Sequence, residues 1–139
     1  LQNLSTELCN VHTATNRVVV LISGGANSLE RAIIKLATLT PSRVELLREA
    51  DYIVRSKMEK YGLIESVWQF PVVLIPFGVN GLESVVLRPV SSLEAMTAKF
   101  YPLEPEVLNP IIAKIQDLNK ISFIFYDATN KPPGTIEWE

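Results

Sequence analysis

The stretch that most restricts this chain lies at its C-terminal end. Ile121-Ser-Phe-Ile-Phe-Tyr126 is an aromatic and β-branched run that fits a half-buried strand. Asp127-Ala-Thr-Asn130 then supplies turn formers, and Lys131-Pro132-Pro133 follows at once. Each proline fixes φ and removes a backbone donor, so the segment belongs neither to a sheet interior nor to a helix. Beyond it stand the permissive Gly134, the hydroxyl of Thr135, and Trp138 between Glu137 and Glu139. Two readings follow. Chain ends fray, which would leave Lys131 and Glu137 solvated like most surface charges. Alternatively, the double proline and the indole shape a built segment in which the Lys131 ammonium is a point-charge partner for phosphate.

The motif Lys131-Pro-Pro-Gly-Thr-Ile-Glu-Trp-Glu139, with the strand that ends in Tyr126-Asp127, resembles the C-terminus of the GMP synthetase family, glutamine-hydrolysing enzymes that aminate XMP. Two upstream stretches carry the same resemblance. Ser84-Val-Val-Leu-Arg-Pro-Val-Ser-Ser-Leu-Glu-Ala-Met-Thr97 is similar to the family's strand and Met-Thr segment. Thr40-Pro-Ser-Arg-Val-Glu-Leu-Leu-Arg-Glu-Ala-Asp51 is similar to the helix that opens its dimerisation domain.

A chain of 139 residues has room for one core and is short for two ordinary domains. With 47% hydrophobic and 20% charged residues it reads as a globular, cytoplasmic chain with no membrane partner, and the start at Leu1 suggests a piece of something longer. Thirteen Lys and Arg against fifteen Asp and Glu leave a net charge of −2 and no basic surplus of the kind that nucleic-acid binders carry. One cysteine, Cys9, and one histidine, His12, allow neither an intramolecular disulfide nor a Cys/His zinc cluster, so no metal site is expected.

Leu1, Leu4 and Leu8 have helical spacing, and Val18 to Ile22 reads as a short buried strand. Thr15-Asn-Arg-Val-Val-Val-Leu-Ile22 echoes Leu118-Asn-Lys-Ile-Ser-Phe-Ile-Phe125, an Asn, a basic residue and a strand each time. Residues 1–23 are therefore expected to be the end of a preceding, duplicated αβ subdomain, 24–39 a connecting extended segment, and 40–139 the dimerisation domain proper. Ser23-Gly-Gly-Ala-Asn-Ser28 resembles the phosphate loop of ATP pyrophosphatases, in which glycines let backbone donors crowd a pyrophosphate. Asn27 stands at its acidic position, and a plain turn after the strand is the favoured reading.

Thr40-Pro41 is a helix start, Val44, Leu47, Val54, Met58 and Tyr61 keep one face, and Gly62 is a stop. Arg43, Arg48, Glu49, Arg55 and Lys57 read as its solvated face. Val72 to Ile75 and Ser84 to Val90 are expected to form an antiparallel hairpin with Pro89 at an edge. Gln69 is either a surface amide beside Trp68 or, as the family resemblance implies, an XMP contact. Arg88 could meet a phosphate in a fork, although a strand Arg more often partners an acid. A second helical pattern runs through Val107, Ile111, Ile112 and Ile115, with Pro110 either starting or kinking it.

This order of elements predicts an α+β fold, a small mixed or antiparallel sheet with helices packed on one face and the second face covered by a dimer partner. The resemblance implies the C-terminal domain of a GMP synthetase, which dimerises and contacts XMP, with glutaminase and ATP pyrophosphatase domains upstream. ATP and magnesium would act in the full-length enzyme, and no cofactor or catalytic residue is expected in this domain. Lys131 would bind the XMP phosphate, Glu137 and Gln69 would contact the nucleotide, and Arg88 and Thr135 are further candidates. Two other functions stay open: a dimerisation module whose tail makes no ligand contact, and a stand-alone ATP-binding protein using Ser23 to Ser28.

Overall fold

The computed structural model describes residues 1–94 and 96–138, and of Gln2 the backbone alone. In chain order the elements are α1 (Gln2–Val11), β1 (Val19–Ser23), α2 (Ala26–Leu29), β2 (Ile33–Ile34), α3 (Pro41–Lys60), β3 (Val72–Ile75), β4 (Phe77–Gly78), β5 (Glu83–Leu87), β6 (Val90–Ser91), β7 (Lys99–Phe100), α4 (Pro105–Gln116) and β8 (Ile121–Asp127). The main sheet is mixed and four-stranded, in the order β1-β8-β5-β3. β3 and β5 form the antiparallel hairpin that their sequences predict, with Val73 opposite Val86. β5 lies parallel to β8, and β8 is antiparallel to β1. β8 is thus central, in keeping with its unbroken apolar run, whose residues from Phe123 to Asp127 are all buried.

Alternation along the strands decides what each face meets. Val85, Leu87, Ile124 and Tyr126 join Ala50, Val54 and Met58 of α3 and Val107, Ile111 and Ile115 of α4 in the larger core cluster. Helices therefore cover one face, as the sequence predicts. The opposite face carries Val86, Phe123 and Phe125, and here the chain supplies cover of its own: Leu29, Ala32, Phe77, Val79 and Trp138 pack against them. Further along the same connecting segment, large side chains stay in solvent, Ile34 at 81% exposure and Leu36 at 105%.

Local chemistry explains the helix ends. The Thr40 side chain accepts a hydrogen bond from the Arg43 amide and Pro41 occupies the first turn, so α3 starts where Thr-Pro predicts. Gly62, at φ +67°, ends it. Tyr61, counted on the buried face from spacing alone, is the cap residue after the helix ends and is exposed, whereas Met58 one turn earlier is buried. Arg43 departs from the solvated face read for this helix: its Nε donates at 3.0 Å to both oxygens of Glu83, a buried carboxylate that Lys35 also approaches at 3.4 Å. In α4, Pro105 takes the first turn and Pro110 lies inside the helix.

Residues 1–23 supply α1 and β1. β1 is an edge of the main sheet, with Val20 opposite Tyr126. In the segment 24–39, Ile33–Ile34 pair with Phe77–Gly78, and Ala26–Leu29 form one helical turn.

Candidate functional site

The parallel register of β5 and β8 sets Leu87 beside Tyr126, so Arg88 and Asp127, the next residue of each chain segment, leave the sheet side by side. Both are fully buried, and Arg88 Nη1 lies 2.8 Å from Asp127 Oδ2. The sequence weighed a phosphate against an acid for Arg88. The structure pairs it with the acid and uses its other donors on the tail: Nη1 to the Thr129 carbonyl at 3.0 Å, Nη2 to that of Thr135 at 2.7 Å, and Nε to that of Ile136 at 3.2 Å. An arginine with no solvent exposure and its fork so engaged is a clamp, and it does not face an incoming anion. Burial lowers its pKa from the ordinary guanidinium value; Asp127 opposes that shift and the nearby Arg17 adds to it.

Asp127 collects further donors. The Trp138 indole Nε1 donates to its Oδ2 at 2.8 Å, the Thr129 amide to its Oδ1 at 2.8 Å, and Arg17 Nη1 approaches Oδ2 at 3.2 Å. A buried carboxylate is tolerated only with such partners. Trp138 is thereby fixed back against the strand that the tail leaves. The frayed reading of the tail does not describe residues 131–138.

Lys131 is held through its backbone. Its amide donates to the Ala98 carbonyl at 2.7 Å, and the Ala98 amide returns a bond at 3.0 Å. The peptide bonds on either side of Pro132 are both cis. Gly134 closes the turn with its amide on the Asn130 carbonyl, and a Cβ there would stand 3.2 Å from the Thr129 side chain and 3.3 Å from Arg17 Nη1. Ile136 folds inward onto Val90 and Ala98. Thr135 is exposed, and its hydroxyl donates to the Glu137 carbonyl at 2.5 Å; Glu137 is exposed too.

Gln69 reaches the same neighbourhood from the other side. Its backbone bridges Val90, with the Val90 amide on the Gln69 carbonyl at 2.8 Å. Val90 then pairs with Phe100 and Ser91 with Lys99, and Ala98 bridges Lys131. A ladder of four short segments therefore runs from Gln69 to Lys131, and Ile136, next to Glu137, packs on its Val90 and Ala98. Gln69 also borders an open cleft of about 820 Å³ between α3 and residues 64–72, with Trp68, Met58 and Arg55 in its walls. The sequence candidates Gln69, Lys131, Thr135 and Glu137 flank this ladder, and Arg88 lies beneath the tail.

Ser23 to Ser28 has a different task. Gly24 sits at φ +113°, where a Cβ would come within 2.5 Å of the Ser122 carbonyl and 2.6 Å of the Phe123 ring. Glycine is required there because the chain presses on β8. Among the described residues no group of three or more His, Cys, Asp or Glu side chains could hold a metal ion, and no helix is long and apolar enough to cross a membrane.

Fold and site together define an α+β domain whose C-terminal segment is a proline-stiffened loop carrying charges of both signs, clamped from beneath by buried arginine and presented beside a small β ladder. The family model described as the GMP synthase C terminal domain matches residues 56–138. The chain belongs to that family. It is 44% identical over 140 residues, covering all of this chain and 23% of the relative, to a probable glutamine-hydrolyzing GMP synthase of Leptospira interrogans. Glutamine-hydrolyzing GMP synthases of Streptomyces coelicolor, 44% identical over 111 residues, and Bifidobacterium longum, 43% over 114, align with 73% and 75% of the chain and 21% of their own length. The chain thus spans less than a quarter of these relatives.

Proposed function

We propose that this domain supplies XMP binding and dimerisation to a full-length glutamine-hydrolysing GMP synthase, in which upstream glutaminase and ATP pyrophosphatase domains use ATP and magnesium to aminate XMP to GMP. The observation that carries the reading is the preformed tail: Lys131 is tied to Ala98 in the ladder that begins at Gln69, Thr135 is held by Arg88, and Trp138 is held by Asp127. A loop fixed before the ligand arrives does not have to be ordered on binding, which lowers the entropic cost of recognition. Lys131 meets the phosphate, Gln69 and Glu137 contact the nucleotide, and Thr135 lies beside them. Positioning of this kind contributes several kcal/mol to a two-substrate reaction without covalent chemistry. For the dimer, the exposed Ile33, Ile34, Leu36 and Leu39 form an apolar strip of the kind that marks an interface.

The test is Lys131→Met in the full-length enzyme. A raised KM for XMP with glutaminase activity retained supports the reading. An unchanged KM would leave a dimerisation module whose tail only packs.

A further inference from the structure

We propose that Arg17, which lies outside residues 56–138 and thus outside the stretch matched by the family model, is a positioning residue for the nucleotide-contacting tail. The inference rests on the XMP reading above. Arg17 stands two residues before β1, and the chain there is stapled to the turn after β8: the Val18 amide donates to Thr129 Oγ1 at 2.8 Å, and the Ala128 amide to the Val18 carbonyl at 3.0 Å. From that anchored backbone the guanidinium grips the tail with both arms and its face. Nη1 pairs with Asp127, Nη2 donates to Thr135 Oγ1 at 2.9 Å and to the Glu137 carbonyl, and the cation lies 5.6 Å from the centroid of the Trp138 ring. Gly134 is kept small against the same group.

The division of labour between the two arginines is legible in which atoms they hold. Arg88 binds the carbonyls of Thr129, Thr135 and Ile136 from inside the protein. Of the two arginines it is Arg17 that reaches Glu137, at the main-chain oxygen it shares with the Thr135 hydroxyl, leaving the carboxylate side chain in solvent. Its planar fork and its face are used at once, on an acid, a hydroxyl, a carbonyl and a ring. A lysine presents one compact ammonium on a flexible stem and cannot meet all of these together. Arg17 therefore sets where Glu137 and Thr135 stand, without touching the nucleotide itself.

The experiment compares Arg17→Lys, Lys131→Met and the surface control Arg48→Met in the full-length enzyme, with KM and kcat read separately by XMP titration at saturating ATP and glutamine. Arg17→Lys is expected to raise the KM for XMP by roughly ten- to a hundredfold, the scale on which displaced positioning groups act, with a smaller change in kcat. In an Arg17→Ala enzyme, added guanidinium at millimolar concentration is expected to bring the KM back towards the parent value. A fall in kcat or thermal stability with KM unchanged, and no guanidinium rescue, would reduce Arg17 to a structural prop and overturn the inference. If Lys131→Met raises KM and Arg17→Lys does not, the XMP site stands and only Arg17's part in it falls. If neither moves KM, both readings fail. Should the Arg17 variants not fold, Thr135→Val removes one acceptor of the same guanidinium at an exposed position; an unchanged KM there would also count against the inference.

Discussion

Replacing Arg88 with Met tests whether the tail is clamped by a buried charge network or lies on the surface by default. The substitution keeps much of the side-chain volume and removes three carbonyl bonds and one ion pair. Asp127 would keep the Trp138 indole, the Thr129 amide and Arg17, so it is not orphaned. That places the charge loss near the lower end of the roughly 3–5 kcal/mol typical of breaking a buried pair. Of the three carbonyls, Thr135 is on an exposed residue and can turn to water, whereas those of Thr129 and Ile136 belong to buried residues and would each cost about 1 kcal/mol or more if left unpaired. A total of about 5 kcal/mol is a third or more of the roughly 5–15 kcal/mol that holds a domain of this size together. With an m-value of roughly 2 kcal/mol per molar in urea, the midpoint of the 139-residue chain should fall by about 2.5 M. Arg48→Met, which removes an ion pair to Glu45 with both side chains in solvent, should shift it by less than about 0.5 kcal/mol equivalent. Equal shifts for the two variants would refute the clamp.

Two further outcomes concern the core and a helix end. The Tyr126 hydroxyl accepts from the Leu103 amide at 3.1 Å and donates to the Tyr101 carbonyl, and burial, the largest cause, raises its pKa above the usual phenol value. A folded-state pKa above the unfolded value of about 10 gives stability that is present below pH 10 and lost as the pH climbs through the folded value. Urea midpoints measured from pH 8 to 11 should therefore fall at the alkaline end; in Tyr126→Phe that slope should flatten, with about 1–2 kcal/mol lost already at pH 8. Thr40→Ala should cost about 0.5–1 kcal/mol by removing the cap on the Arg43 amide, at 3.3 Å a long one, and Thr40→Ser should restore most of it.

Much of the fold is legible because its signals are local. Thr40-Pro41, Gly62, the hairpin of Val72–Ile75 with Glu83–Leu87, and the apolar run at Ile121 act within a few residues of themselves, and each element forms where those signals lie. The parallel pairing of β5 with β8 and the return of β1 to the sheet leave no local trace, since strand spacing tells which faces are apolar but not which strands meet. The candidate site divides in the same way. Gln69, Lys131, Thr135 and Glu137 are visible through a motif. Arg17 reads as a mere basic residue before a strand, because its acidic partner is 110 positions away. Asp127 offered one usable signal, a carboxylate closing an otherwise buried strand, a placement that demands a partner. On α3, periodicity assigns a face to Tyr61 and Arg43 but shows neither that the helix ends at Lys60 nor that Glu83 stands within reach of Arg43.

The central position of β8 also bears on how the molecule is made. Synthesis proceeds from the N-terminus, so β1, β3 and β5 all leave the ribosome before the strand that joins two of them. The β3–β5 hairpin and the helix α3 can assemble early from neighbours in sequence. β1 must wait about a hundred residues for its partner, with Leu21 and Val20 meanwhile uncovered and both of its edges open. A ribosome stalled anywhere between Ser23 and Ile121 therefore holds a nascent chain with an unpaired apolar strand, a substrate for chaperones and a seed for aggregation. Its quality control is built into the order of its strands: a chain truncated before residue 121 cannot hide that strand in this sheet.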